Sequence, residues 1–237
     1  MKIYNYSSPN FDNKNRTKNL IKFIVIHYTG MQSERESINK LCNPKTKVSS
    51  HFLINRVGKI YRLVQENKTA WHAGKSSWKG YKNLNKNSIG IELVNLGHQF
   101  GYQNFTKKQL KSLITICLFL IKKYKIKSKN IIGHSDIAPL RKEDPGEKFP
   151  WQNLSKKKIG IWHNCKSSFL KKLKKNNILS KNNKKKFIKY LKKIGYSCEA
   201  SNKLLLFKVI KAFQRHFRKE LINGIIDKEC FFIAQNL

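Results

Sequence analysis

The feature that most constrains this fold is the run IKFIVIH at residues 21–27, an almost unbroken series of bulky apolar side chains. A strand with one face in solvent alternates apolar and polar residues, so a run without alternation fits a strand covered on both faces. We therefore expect a central strand of a sheet that has helices packed against it. The run ends at a histidine, which places an imidazole at the edge of that sheet.

Two capping boxes predict where helices begin. Ser33 with Glu36 precedes one set of apolar positions, and Thr106 with Gln109 precedes another. In such a pair the hydroxyl accepts from a backbone N–H of the first turn, and the second side chain reaches back to the cap. The second helix keeps its apolar residues at helical spacing, at Leu110, Leu113, Ile114, Cys117 and Ile121.

Three further segments carry strand signals. HFLINRVGKIYRLV at 51–64 predicts two strands that turn near Gly58, and NIIGH at 130–134 predicts a short strand. SIGIELVN at 88–95 predicts a strand with its aliphatic side chains on one face and Glu92 on the other. Together with the helices, these strands predict an α/β fold with a mixed central sheet flanked by helices.

The composition changes after about Lys156, where lysine runs and asparagine-rich pieces begin. We predict a first domain at 1–163, a lysine- and asparagine-rich linker at 164–183 and a small three-helix bundle at 184–237. Three helix signals support the bundle, at Phe187, Leu191 and Ile194, at Leu206, Ile210, Phe213 and Phe217 after Asn202, and after Asp227.

The chain carries a formal net charge of +37, from 50 lysine and arginine residues against 13 acidic ones. Such a charge attracts polyanions, whether nucleic acid, an anionic membrane or an acidic polysaccharide wall. Arginine, the usual bidentate partner of phosphates and guanine edges, supplies only seven of the basic residues, so we expect no nucleic-acid partner. The lysine accompanies abundant Asn, Ile and Phe, a bias typical of AT-rich codons. The charge is therefore either functional or compositional in origin.

The cysteines and the start of the chain bear on the compartment. The five cysteines are odd in number, widely spaced and never in a C-x-x-C pair, which argues against a disulfide framework and a thiolate zinc site. The first residues, MKIYNYSSPNFDNKN, lack the apolar core of a secretory signal, and the longest apolar run, at 114–121, is too short to span a bilayer. We expect a monomer in the cytoplasm, with the periplasm or cell envelope as the alternative.

His27 and His134 each end an apolar strand signal, where a rigid sheet can hold a ligand at the edge of a cleft. The alternative is a pair of hydrogen-bonded histidines at the sheet edge. Asp144, followed by proline and glycine, adds an acid. Two histidines, one aspartate and an open position are the composition of a catalytic zinc site. Pro139 and Pro145 restrict the loop and reduce the entropy lost on metal binding.

Glu92 and Lys142 are candidates for proton transfer and charge stabilisation. Glu92 is either a solvated charge at the sheet edge or a group that passes a proton from water to a leaving amine. Lys142, two residues before Asp144, can place its ammonium near the oxyanion of a tetrahedral intermediate. In a chain this rich in lysine, only the position of Lys142 supports that role.

Further candidates lie in the segments SSHFLI and WHAG. His51 either supports the site from behind or simply begins a strand. Trp71 and His72 offer an aromatic surface and a hydrogen-bond donor beside a flexible glycine, which suits a wall for substrate. We expect the substrate contacts to be Tyr28, His51, Trp71, His72 and Arg141.

With these residues assembled, the chain resembles the zinc-dependent N-acetylmuramoyl-L-alanine amidases of the type 2 family, to which the peptidoglycan recognition proteins are similar. The matching segments follow in family order: IVIHYTGM (24–31), VSSHFLI (48–54), AWHAG (70–74), SIGIELVN (88–95) and GHSDIAPLRKEDPGEKFPW (133–151). Any one segment is a weak signal, whereas the combination is specific. The tail, with AFQRHF and NGIID, resembles a three-helix peptidoglycan-binding domain, an arrangement typical of the AmiD-like branch.

The resemblance implies a zinc ion bound by His27, His134 and Asp144, with Glu92 and Lys142 as catalytic partners. It also implies that the first domain hydrolyses the amide between N-acetylmuramic acid, or its anhydro form, and L-alanine in peptidoglycan or muropeptides. The alternative is a peptidoglycan-binding protein without catalysis, as arises when this fold loses a metal ligand. All three ligand types and both partners are present in the sequence.

Overall fold

The structure is a computed structural model that describes residues 1–173 and 179–237. In these ranges the strands are β1 (Ile3–Asn5), β2 (Phe11–Asp12), β3 (Phe23–Tyr28), β4 (Phe52–Ile54), β5 (Ile60–Arg62), β6 (Thr69–Ala70), β7 (Ser77–Trp78), β8 (Tyr81–Lys82), β9 (Ser88–Leu93) and β10 (Ile131–Gly133). The α-helices are α1 (Glu34–Cys42), α2 (Lys107–Tyr124), α3 (His134–Ile137), α4 (Trp151–Ser155), α5 (Ser167–Leu173), α6 (Lys181–Ile194), α7 (Lys203–Phe217) and α8 (Lys228–Gln235).

Six strands form one mixed sheet in the order β1-β5-β4-β9-β3-β10. β3 pairs in parallel with β9 on one side and with β10 on the other, whereas β4 and β5 are antiparallel. The register of β3 and β9 places His27 directly opposite Glu92. The predicted mixed sheet is confirmed, and the IKFIVIH segment forms one of its inner strands.

Both faces of β3 are covered, as its unbroken apolar sequence requires. Ile24 and Ile26 belong to one buried cluster, whereas Phe23 and Val25 belong to another. The first cluster contains the α2 residues Leu113, Ile116, Cys117 and Leu120. The second contains residues of α6, α7 and α8, among them Phe187, Leu191, Val209, Phe213 and Cys230. The C-terminal helices therefore provide the second apolar cover of the strand.

The start of α2 differs in one detail from the predicted capping box. Thr106 accepts from the backbone N–H of Gln109 (3.1 Å), as predicted. The buried Gln109 side chain does not reach back to the cap; its amide donates to the carbonyls of Ile54 (3.0 Å) and Val94 (3.1 Å). Those carbonyls lie at or just beyond the ends of β4 and β9, where a buried acceptor needs a donor.

Helix α1 begins at the predicted cap, but the Glu36 carboxylate accepts from the backbone N–H of Gln32 (3.1 Å), one residue before the cap; strand β10 lies in the predicted segment. The Ser33 hydroxyl accepts from the backbone N–H of Glu36 (3.1 Å) at the start of α1. β10 ends at Gly133, so His134 begins the short helix α3 rather than ending the strand. The histidine still lies at the carboxyl end of the sheet, because α3 follows β10 without a loop.

Three helices occupy the tail where helix signals were expected. Asn202 and Asp227 cap α7 and α8 by accepting from backbone N–H groups of the first turns. In the predicted linker at 164–183, α5 and the start of α6 are present, and residues 174–178 lie outside the described ranges. The division into domains stays a prediction. Within the described ranges, no helix is long and apolar enough to cross a membrane.

The two hydrogen bonds from Gln109 give a prediction for stability. Gln109→Met keeps the side-chain volume but removes the side-chain donor to two buried carbonyls, of which only that of Ile54 keeps a bond from the Val94 N–H (3.0 Å). We therefore expect the free energy of unfolding to fall by about 1–3 kcal/mol. Urea denaturation measures the change. Lys111→Met, at an exposed position of the same helix, is the control and should change it by no more than about 0.5 kcal/mol. Equal effects of the two variants would contradict the assigned role of Gln109.

Candidate active site

A cavity of about 470 Å³ opens beyond the carboxyl ends of β3, β9 and β10. These three strands are parallel, so their carboxyl ends meet at one edge of the sheet, the usual place for a ligand site in such sheets. The side chains around the cavity include Tyr28, Trp71, His72, Glu92, His98, His134, Arg141, Lys142 and Asp144.

Three buried side chains converge at this cavity. The Nδ1 atoms of His27 and His134 lie 2.9 Å apart. Oδ2 of Asp144 lies 3.1 Å from the first and 3.0 Å from the second. Each side chain is at most 8 % exposed. The structure thus brings together the three residues that the sequence analysis selected as metal ligands, although 107 residues separate the two histidines.

Hydrogen bonds behind His27 fix its tautomer. Ser88 donates its only hydroxyl proton to the carbonyl of Leu84 (2.6 Å), so it accepts from Nε2–H of His72 (3.2 Å). Nδ1 of His72 then accepts from Nε2–H of His27 (3.0 Å). Burial and nearby histidines hold the pKa of His72 well below its usual range and lower the pKa of His27 to about 4. His27 is therefore neutral at pH 7, with a lone pair on Nδ1.

The other two atoms of the cluster are also acceptors. Nε2 of His134 lies 3.3 Å from the carbonyl of Ala73, and a ring proton that it donates there leaves a lone pair on Nδ1. Burial raises the pKa of Asp144, but the two neighbouring histidines outweigh burial and hold that pKa well below its usual range. Its carboxylate is therefore ionised at pH 7.

With the ring protons on the two Nε2 atoms, the cluster presents three lone pairs to one another, an arrangement that needs a cation among them. Tetrahedral zinc holds nitrogen and oxygen ligands at about 2.0–2.1 Å, which sets them roughly 3.3 Å apart. The observed separations of 2.9–3.1 Å are close to that value. Backbone and side-chain acceptors on the outer histidine nitrogens are also usual at zinc sites. The residues therefore fit zinc.

Gly90 makes room for the histidine behind His27. A Cβ atom at this position of β9 would lie 2.4 Å from Cγ of His72, closer than any side chain tolerates. The glycine in SIGIE thus has a steric reason, because a larger residue would displace His72 and with it the hydrogen bond to His27.

Glu92 faces the same cavity from β9. Its Oε2 atom is out of solvent and has no hydrogen-bond partner among the described residues. Burial and the charge of Asp144 raise the pKa of Glu92 to about 8, against the opposing effect of Lys142. Lys142 lines the cavity, and its backbone N–H donates to the carbonyl of Ala138 (3.1 Å). The two candidate catalytic residues therefore lie beside the three clustered acceptors.

Four of the five predicted substrate contacts line the cavity. The Tyr28 hydroxyl donates to Nδ1 of His98 (2.7 Å), and the Trp71 indole donates to Asp12 (2.7 Å). The Arg141 guanidinium donates to the carbonyls of Ala73 and Lys75. His72 reaches the cavity but lies mostly behind His27.

His51 is not brought to the cavity. Its side chain is fully buried, and its Nδ1 accepts from the backbone N–H of Gly90 (3.0 Å). Nε2 lies 2.7 Å from the buried guanidinium of Arg16. The structure places His51 behind β9, where it supports the strand, and a direct contact with substrate has no support from its position.

Sequence reasoning missed His98 at the cavity wall. Its Nδ1 accepts from Tyr28, and its Nε2 donates to the Glu147 carboxylate (3.0 Å). The residue lies in the loop that follows β9, after Gly97 with a positive φ of 68°. That position after the carboxyl end of a strand was the one available signal, because no motif surrounds it.

Comparison with known proteins agrees with this geometry. Residues 16–147 match the family model Amidase_2, described as N-acetylmuramoyl-L-alanine amidase. The chain belongs to this amidase family. The N-acetylmuramoyl-L-alanine amidase AmiD of Escherichia coli (strain K12) is 37% identical over 232 residues, which cover 92% of this chain and 82% of AmiD. The predicted family is therefore confirmed.

One further amidase and a solved structure of AmiD are also similar. The 1,6-anhydro-N-acetylmuramyl-L-alanine amidase AmpD of Haemophilus influenzae is 36% identical over 163 residues, covering 61% of this chain and 86% of AmpD. A solved complex of E. coli AmiD with anhydro-N-acetylmuramic acid-L-Ala-D-γ-Glu-L-Lys has a TM-score of 0.80 and 36% identity, covering 92% of this chain and 88% of that one. The amidase fold predicted from the sequence is confirmed.

The raised pKa of Glu92 predicts how stability of the metal-free amidase depends on pH. Below the usual pKa near 4.5 the carboxyl is protonated in both states; between there and about 8 the unfolded chain ionises while the folded chain does not. The wild type therefore loses stability across this window. Glu92→Gln cannot ionise and does not lose this stability. We therefore expect its melting temperature, relative to that of the wild type, to be higher at pH 8 than at pH 5, by about 2–4 °C for each kcal/mol that the wild type loses.

Calorimetric melting of the metal-free proteins at the two pH values measures this difference. Glu199→Gln replaces an exposed carboxylate and is the control, for which we expect the same difference from wild type at both pH values. If the melting temperatures of Glu92→Gln and the wild type differ by the same amount at both pH values, the result would contradict a protonated Glu92 in the folded protein.

Proposed function

We propose that this chain hydrolyses the amide between N-acetylmuramic acid, or its anhydro form, and L-alanine in peptidoglycan fragments. A zinc ion held by His27, His134 and Asp144 is part of the proposal. The observation that carries it is the buried cluster of three acceptors at the cavity of an amidase-family chain. The AmiD complex with an anhydromuramyl peptide supports the substrate class.

The chemistry is divided between the ion and the side chains around it. Zinc, when bound, lowers the pKa of a coordinated water and polarises the scissile carbonyl. Glu92 accepts a proton from the attacking water and donates it to the departing alanine amine. The Lys142 ammonium stabilises negative charge on the substrate oxygen.

The walls of the cavity orient the substrate. The indole of Trp71, fixed by Asp12, gives a flat apolar surface, and the Tyr28 ring faces the same cavity. Arg141 lines the cavity and offers positive charge to carboxylates of a stem peptide. The high net charge has the sign that attracts such an acidic substrate.

The C-terminal helices form a second candidate surface for the wall polymer. A shallow apolar groove lies between α7 and the segment before α8, with Phe207 and Ile225 partly exposed in it. This groove supports the proposed division into a catalytic domain at 1–163, a linker at 164–183 and a peptidoglycan-binding domain at 184–237. The cytoplasmic location and the monomeric state stay predictions.

Release of stem peptide from purified muropeptides, followed by mass spectrometry, tests the amidase proposal. We expect the wild type to release peptide, a chelator to abolish the release, and zinc to restore it. Glu92→Gln should lower kcat about 10²–10⁴-fold, because the proton relay is lost, and still bind zinc. His134→Ala should lose zinc.

His163→Ala, a histidine outside the cavity, is the control and should keep both zinc and rate. A wild type that binds muropeptides but releases no peptide with zinc present would favour the non-catalytic alternative. Full activity of Glu92→Gln would show that the proton relay is assigned to the wrong group.

Lys142 provides a separate test of charge stabilisation. Lys142→Met keeps most of the side-chain length but removes the ammonium, so we expect kcat to fall about 10²-fold with little change in KM. Steady-state kinetics with a soluble muropeptide measure both constants. Lys148→Met, an exposed lysine nearby in the chain, is the control and should leave kcat within about twofold. A rise in KM at constant kcat would assign Lys142 to substrate binding instead.

A further inference from the structure

The ligand loop, defined here as residues 134–147, is held at its first turn by two side chains of the tail. Asp136 is only 2 % exposed, and both of its carboxylate oxygens are used. Oδ1 accepts from the Tyr196 hydroxyl (2.6 Å), and Oδ2 pairs with Nδ1 of His216 (2.8 Å) and accepts from the Gly133 N–H (2.8 Å). Asp136 lies two residues after His134, so its partners fix the start of the loop.

The partner of Asp136 on α7 is itself rigid. The His216 ring is stacked between Trp151 and Phe217, with centroids 4.0 Å from each and interplanar angles of 14° and 15°. A ring packed on both faces cannot rotate away from the carboxylate it binds. The position of Asp136 is therefore set by α7 as well as by the backbone of its own loop.

The preceding residue of α7 holds the other end of the ligand loop. Arg215 is 7 % exposed, and its guanidinium lies 2.8 Å from Glu143 and 3.7 Å from Glu147. These two carboxylates flank Asp144. Glu147 also accepts from Nε2 of His98, and Nδ1 of the same ring accepts from the Tyr28 hydroxyl at the cavity wall. Two consecutive residues of one helix thus hold both ends of the loop.

We propose that Tyr196, Arg215 and His216 are positioning residues of the active site. They act through Asp136, Glu143 and Glu147 to keep the His134 and Asp144 acceptors 3.0 Å apart. The proposal rests on the proposed zinc function, and it gives the C-terminal helices a role in catalysis in addition to any contact with the wall polymer. The catalytic unit then extends to α7 and does not end near residue 163.

A purely structural tether would also explain these contacts, so the experiment compares two buried arginines, one in the last turn of α7 and one directly after its end. Arg215 binds carboxylates of the ligand loop, whereas Arg218 binds Asp227 (2.6 Å) and Glu229 (3.3 Å), which lie in the tail itself. Arg215→Gln and Arg218→Gln each remove one buried cation from the tail. Tyr196→Phe is a milder second variant that removes one hydrogen bond to Asp136.

Zinc affinity of the full-length proteins, measured by competition with a chromogenic chelator, is the main readout. We expect Arg215→Gln and Tyr196→Phe to weaken zinc binding roughly 10-fold and to lower kcat. Loss of a residue that supports a metal ligand typically weakens metal binding about 10–100-fold, and these two residues act one step further away. Arg215→Lys keeps the charge and should recover part of the affinity. Arg218→Gln should lower the melting temperature at least as much, yet leave zinc affinity within about twofold.

Limited trypsin digestion of the metal-free proteins is a readout that does not depend on zinc. Arg141 and Lys142 lie at the tip of the ligand loop, so we expect faster cleavage there in Arg215→Gln and Tyr196→Phe than in Arg218→Gln. If all three variants lower only the melting temperature, with zinc affinity and cleavage unchanged, positioning is refuted and the amidase proposal stands. If the wild type binds no zinc while cleavage still differs, the zinc assignment fails and the support of the loop by the tail survives.

Discussion

Three acceptor atoms lie within 2.9–3.1 Å of one another, and the rest of the site serves to hold them there. With the ring protons on the outer nitrogens these atoms repel one another, so a flexible setting would let them separate. Each comes from a different place: His27 from β3, His134 from the first turn of α3, and Asp144 from the loop beyond it. Hydrogen bonds on the outer nitrogens of the histidines fix both rings. Support of this kind is what makes such a cluster ready for a cation.

Strand β3 contributes to the core and also sets the direction of the His27 side chain. Side chains on β3 alternate, so His27 points to the face of Phe23 and Val25, away from the cluster under α2. The parallel register then sets Glu92 beside His27. The sequence of β3 therefore determines both of its apolar covers and the direction of His27, because a strand offers only two directions for its side chains.

The elements that sequence could predict are those with a local signal. The apolar run gave β3, the caps at Ser33 and Thr106 gave the helix starts, and strand ends drew attention to His27 and His134. The side-chain half of both capping boxes was wrong, because Glu36 accepts from the N–H of Gln32 and the Gln109 amide is directed to two buried carbonyls. Contacts such as those of His98 and His216 join residues 49 to 80 positions apart and have no local pattern, so they required the structure.

The acids of the ligand loop illustrate how charge and packing combine here. Four of the 13 acidic residues fall within 134–147, which would repel one another if left without partners. Only Asp144 belongs to the acceptor cluster. The other three acids are bound by Tyr196 and by side chains of α7. Helix α7 belongs to the tail, which also covers the second face of β3. The tail thus buries the apolar face of the sheet and neutralises the acids around the ligands with the same helix. Separating the tail from the sheet would expose both, because the two contacts are continuous.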